Sequence, residues 1–147
     1  MLSWSSHAMA TELTAGLAEL GITPRPHCVL YTAAGGDMLQ SQVAEAVGLD
    51  KTTMVVLMDK LDKDGLAERR PAAADRRARV VRVTDKGREV IAQANEIVAG
   101  IQEEVLSSLP DELRGPFIEA LVQLVNGRLS SFAQCESPPR RRPVRSA

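Results

Sequence analysis

At 147 residues the chain holds one domain, which at that size buries roughly 70% of its unfolded surface, and no second core is needed. Apolar residues make up 44% of it but aromatic ones only 3%, which excludes an aromatic core and leaves Leu, Val, Ile and Ala, a composition that favours helices. A formal net charge of -1 excludes a uniformly basic surface of the kind that holds nucleic acid through counterion release alone.

Met1 to Ala10 carries Trp4, His7 and three serines but no continuous apolar run, so neither a signal peptide nor a membrane span is predicted and the chain is expected in the cytoplasm. Residues 8–20 predict a short first helix with Met9, Leu13, Leu17 and Leu20 in one stripe, closed by Gly21. Thr23 as cap and Pro24 in the first turn start a second helix, through Cys28, Val29, Leu30 and Tyr31 to Gly35 and Gly36. Pro26 still lies in the tolerant first turn. Residues 39–47 give a third helix with Val43, Ala44 and Val47 inward and Gly48 in the left-handed conformation that ends it. Asp50 caps a fourth helix that runs to about Asp64, with Met54, Leu57, Met58 and Leu61 as its inward stripe, and Gly65 stops it.

Leu66 to Arg70 and Arg79 to Thr84 read as two strands joined by a charged loop, residues 71–78, too long for a two-residue turn: a hairpin with a projecting tip. Thr84 caps a long helix from Asp85 to about Leu106, with Val90, Ala94, Ile97, Ile101 and Val105 repeating every three or four residues. Pro110 opens a last helical region whose stripe is Phe117, Leu121, Leu124, Val125, Leu129 and Phe132, kinked or restarted at Gly115 and Pro116. Residues 136–147, with Arg140, Arg141, Arg142 and Arg145, predict a disordered basic tail.

The expected fold is mainly α with a small β-hairpin wing. It is a single winged helix-turn-helix domain over residues 1–135, with a DNA-binding module at about 37–88 and dimerisation helices at about 8–20 and 88–135. Gln40, Ala44, Gly48 and Leu49 carry the helix-turn-helix offsets, a small residue where two helices touch and a glycine where the chain turns. Positive charge is concentrated just after it: Arg69, Arg70, Arg76, Arg77, Arg79, Arg82, Lys86 and Arg88 stand against Asp75 and Asp85. The partner predicted from this order is double-stranded DNA.

At about 100° per residue, the face of the fourth helix opposite its core stripe carries Thr52, Val56, Asp59 and Lys63. Val56 is either a harmless exposed valine or a contact for thymine methyl groups. Lys51, Thr52 and Thr53 lie in the first turn, where they meet phosphates and base edges or serve local capping. Gln40, Ser41, Val55 and Lys60 complete the candidate contacts on the two helices. At the hairpin tip, Arg76 and Arg77 suit a narrow minor groove, with Asp75 orienting Arg77; the alternative is an exposed ion pair that only solvates a loop.

Gly48-Leu49-Asp50-Lys51-Thr52-Thr53, Leu61-Asp62-Lys63-Asp64-Gly65-Leu66, Glu68-Arg69-Arg70-Pro71, Asp75-Arg76-Arg77 and Val83-Thr84-Asp85-Lys86-Gly87 resemble the multiple antibiotic resistance regulator (MarR) family, closely over about residues 21–106. The resemblance implies a triangular homodimer with interlocking terminal helices, two winged modules on a palindromic site, repression by blocking a promoter, and release by a small aromatic or phenolic ligand. His27 and Tyr31 are the candidate ligand-lining residues. The chain departs from the family pattern at Val55 and Val56, where members often carry threonine then arginine, at Leu39 in place of a capping threonine, at Arg79 in place of an apolar residue, and in a shorter first helix. The apolar stripes of residues 90–105 and 117–132 also exceed what one small module needs, which favours a homodimer.

No enzyme, cofactor or metal site is predicted: Cys28 and Cys135 lack ligand spacing, and a reducing compartment keeps both as thiols. His27 beside Cys28 raises the alternatives of a cysteine nucleophile or a redox sensor, but adjacent helix residues point about 100° apart. The remaining rival is a winged-helix scaffold that uses its basic hairpin on acidic proteins.

Overall fold

The computed structural model describes residues 1–72 and 78–130. Its elements follow in the order α1 (Leu2–Leu17), α2 (Pro24–Ala34), β1 (Met38–Leu39), α3 (Gln40–Ala46), α4 (Lys51–Lys63), β2 (Ala67–Pro71), β3 (Arg79–Val83), α5 (Asp85–Ser107) and α6 (Asp111–Asn126). Val29, Leu30, Val43, Met54, Met58, Leu61 and Val81 are fully buried, so the core is the space between α2, α3, α4 and the sheet. Leu17 of α1 and Ile91 and Ala94 of α5 close it from the far side. This is the all-aliphatic core that the composition requires.

Four expectations need correction. The first helix starts at Leu2, not at residue 8, and continues as a 3-10 turn over Ala18–Leu20 to Gly21 at φ 69°. Its first six residues are exposed, so no apolar period marks them. Hydroxyl bonds to the preceding turn, such as Thr11 Oγ1 to the His7 carbonyl at 3.0 Å, are local.

Thr23 stands at the N-cap of α2 but makes no side-chain cap bond. A capping hydroxyl accepts from the N–H of the second or third helical residue, and the third is Pro26, which has none.

The hairpin does not stand alone. Met38 and Leu39 pair with Val81 and Val80, giving a three-stranded antiparallel sheet of order β1–β3–β2. Two residues are too few to show a period of two, and the pairing spans about forty residues of chain.

α6, finally, runs through Gly115 and Pro116 without restarting. Pro116 is past the first turn and removes one donor, to the Glu112 carbonyl, which one helix can lose without ending. The stripe positions from Phe117 to Leu129 are exposed, and Phe132 lies outside the described residues.

Two joints set the geometry of the module. Gly48, at φ 67°, makes the turn between α3 and α4, and a side chain there would be strained. At the base of the wing, Thr84 caps α5: its Oγ1 accepts from the Gly87 N–H at 3.0 Å and donates to the Gly65 carbonyl at 2.7 Å. Backbone closes the same joint, since Thr84 N–H donates to the Leu66 carbonyl at 3.1 Å. α1 packs on α5 where Gly16 leaves room; a Cβ there would come within 2.7 Å of Ile101 Cδ1.

Candidate nucleic-acid interface

The entry of α4 is fixed by Asp50, whose Oδ1 accepts from the Thr53 N–H at 3.0 Å while Thr53 Oγ1 donates to Oδ2 at 2.5 Å. The two open readings of Thr52 and Thr53 therefore divide: the Thr53 hydroxyl serves the cap, and the Thr52 side chain stays exposed. The Thr53 hydroxyl first, and its backbone N–H second, hold the Asp50 carboxyl below its ordinary value of 3.8. A carboxyl lowered in the folded state stabilises above the unfolded value, and that contribution disappears as pH falls through the folded value. Asp50→Asn keeps a capping oxygen but cannot titrate. Denaturant midpoints of the two proteins, measured on either side of pH 3.8, are expected to converge on the acid side; parallel profiles would remove the cap's role.

Beyond the cap, α4 turns Thr52, Val56, Asp59 and Lys63 outward as its stripe dictates, with Val56 65% exposed. Lys51 stands exposed at the first helical position. Gln40 and Ser41 open α3 beside it, and these three residues meet on one open cleft of about 450 Å³ floored by Ala44, Leu49 and Met54. Leu39, where family members carry a capping threonine, still gives α3 an ordered start, because its N–H donates to Gln42 Oε1 at 2.8 Å. Lys60 sits elsewhere: its Nζ reaches the Gly21 carbonyl at 3.4 Å and Asp64 at 4.0 Å, at the edge of α4 nearest α1. Asp75, Arg76 and Arg77 lie outside the described residues, as does the tail at 136–147.

The residue that sequence reasoning missed is Arg69. Counted only as part of the positive charge of the hairpin, it points from β2 onto α4 and is 24% exposed. Its guanidinium donates from Nε to Gln40 Oε1 at 3.1 Å and from Nη2 to the Val55 carbonyl at 3.0 Å, and pairs with Asp59 Oδ1 at 2.7 Å. Strand alternation contains the signal. Ala67, Arg69 and Pro71 share one side of β2, and Ala67 on that side is buried. Arg70, on the other side, pairs with Glu68 at 2.6 Å.

On α2, His27 does not engage Cys28; its Nε2 lies 2.8 Å from Asn95 Oδ1 of α5. The Tyr31 ring is 6.2 Å from it, centroid to centroid, and 59% exposed. Desolvation pushes the Cys28 thiol up, so the reactive thiolate is scarce near neutrality. Cys135 lies outside the described residues. Among the described residues, no helix is long and apolar enough to cross a membrane.

A helix-turn-helix completed by a three-stranded wing and framed by long outer helices defines a winged-helix protein of the MarR architecture. The MarR family model matches residues 20–78, from the end of the 3-10 turn into the wing. Across the whole fold, a MarR-family transcriptional regulator from Rhodococcus sp. RHA1 superposes with a TM-score of 0.76 at 25% identity, covering 86% of this chain and 90% of that one. The transcriptional repressor CouR bound to a 23-mer DNA duplex gives 0.78 at 24% identity over 84% and 89%. CouR from Rhodococcus jostii RHA1 bound to p-coumaroyl-CoA gives 0.72 at 24% over 86% and 88%. A family-model match over the module and the fold of MarR-family regulators together bear out the resemblance read from the sequence.

Proposed function

We propose that the chain is a cytoplasmic, sequence-specific double-stranded DNA-binding repressor that works as a homodimer on a near-palindromic operator. The observation that carries this reading is the face of α4: Thr52, Val56 and Lys63 are exposed on a capped helix between the α3 cleft and the wing. The repressor CouR, of similar fold, was captured on a DNA duplex, which supports carrying the activity over. Lys51 and Ser41 supply donors for phosphates at the rim, and Thr52 and Val56 address base edges in the major groove. With Val55 and Val56 where family members often carry threonine and arginine, this helix lacks an arginine for guanine, and an apolar contact to thymine methyls takes its place.

Selection of bound sequences from random duplexes tests the reading. The expected product is a near-palindrome whose half-sites lie about one helical turn apart, roughly 34–36 Å. Retention of no duplex at low ionic strength would sink it. Val56→Glu brings a carboxylate to the groove without touching the core, so selected-site affinity is expected to fall at least about tenfold while the thermal midpoint stays put. An unchanged affinity would return Val56 to a merely exposed valine.

Release by a small aromatic ligand is the second part of the proposal. CouR was captured with p-coumaroyl-CoA, and here the His27 and Tyr31 rings sit side by side on α2, with His27 bonded to Asn95 of α5. That junction links the module to a long outer helix, the position from which a bound ring would alter the spacing of two modules. The redox-sensor alternative rests on Cys28 alone, an exposed thiol whose neighbour His27 is bonded to Asn95 instead.

A further inference from the structure

We propose that Arg69 is a positioning residue of the DNA interface, which fixes the wing against α4 and turns the Gln40 amide so that its NH2 group is the end left for DNA. The inference rests on the DNA-binding reading above and names a determinant of its geometry.

A guanidinium has only donors, so the group 3.1 Å from Arg69 Nε has to be the amide oxygen of Gln40, and the NH2 group points away from it. Gln40 and Ser41 together line the α3 cleft, next to Lys51. An amide held this way donates to a phosphate oxygen or to guanine O6 and N7. It is poorly set for the paired donor and acceptor contact that reads adenine.

The same guanidinium spans three elements. From β2 it reaches the first residue of α3, the Val55 carbonyl in α4 and the Asp59 carboxylate one turn further along. Its contacts to Gln40, Val55 and Asp59 tie the β2 side of the wing directly to α3 and α4. Asp59 also gains a purpose. It lies on the outer face, 61% exposed, where a lone carboxylate would repel phosphates, and pairing with Arg69 offsets that charge.

A planar fork makes these contacts and an ammonium does not, so Arg69→Lys separates charge from positioning. The experiment compares wild type, Arg69→Lys, Arg69→Ala and Asp59→Asn for affinity on a selected operator, affinity on an unrelated duplex, and the salt slope of each. Positioning predicts that Arg69→Lys and Arg69→Ala both lose about tenfold in the ratio of specific to unrelated affinity, with the salt slope unchanged, and that Asp59→Asn loses less. If Arg69 were a phosphate contact, Arg69→Lys would retain affinity and Arg69→Ala would weaken both duplexes alike, with the slope reduced by about one; that result overturns the proposal. Amide hydrogen exchange on the free proteins supplies a readout that needs no DNA. Arg69→Ala is expected to speed exchange in residues 67–71 and 79–83 and leave α5 unchanged. Wing exchange equal to wild type overturns the brace. Failure of wild type to bind any duplex, with the exchange effect intact, overturns the DNA-binding reading instead.

Discussion

Gly87→Ala is expected to destabilise the fold by about 2–3 kcal/mol and lower the thermal midpoint by roughly 5–10 °C. Taken alone, the change improves a helix by up to about 1 kcal/mol, since alanine is the better helix former. Packing reverses the sign. Gly87 is buried in the first turn of α5, where a Cβ would overlap the Leu66 carbonyl oxygen and come within 2.8 Å of Val83 Cγ1. The Leu66 oxygen cannot retreat, because it accepts from the Thr84 N–H and belongs to the turn between α4 and β2. The joint thus locks α5 to the base of the wing. Gly100→Ala in the same helix is the control: nothing lies within 4 Å of its Cβ position, so that variant is expected to gain stability. Denaturant midpoints that move the same way for both variants would refute the close-approach argument.

What the sequence made legible follows from which forces leave a local pattern. α4 was readable end to end. Asp50 and Gly65 bound it, and its inward residues Met54, Met58 and Leu61 are buried as the period requires. Gly48 was readable because only a residue tolerant of positive φ turns the chain there. β1 was not, since its existence depends on Val80 and Val81 being in register far along the chain. The start of α1 was hidden because its first six residues bury nothing.

At the interface, composition misled in one respect. Summing Arg69 with its neighbours treats every cation in the wing as available to a phosphate, whereas strand alternation sends alternate residues to opposite sides. Residue type identified Gln40 and Thr53 as candidate contacts, but the structure divides them, one by a tertiary contact and one by a local cap. Gln40 is held by Arg69, and Thr53 is spent on the cap of its own helix.

Leu121→Lys combined with Val125→Lys is expected to convert the protein to monomer and to lower operator affinity by about 10²-fold or more. The described part of α6 buries no residue, and it leaves Leu113, Phe117, Ile118, Leu121, Val122, Leu124 and Val125 exposed. Leu2 and Trp4 at the start of α1 are exposed as well. Scattered exposed leucines need no explanation, but a helix with its whole apolar stripe in water does, and a second copy of the chain covers such a stripe by symmetry. Leu121 and Val125 are one turn apart on one face, away from the buried core, so two ammonium groups disrupt an interface there without unfolding the module. The choice of lysine separates the causes. Added positive charge strengthens attraction to phosphate, so weaker operator binding cannot be electrostatic. It has to come from losing the second module, whose half-site contact is otherwise made at high effective concentration. Light scattering that gives the variant the same mass as wild type, with operator affinity retained, would refute the α6 interface.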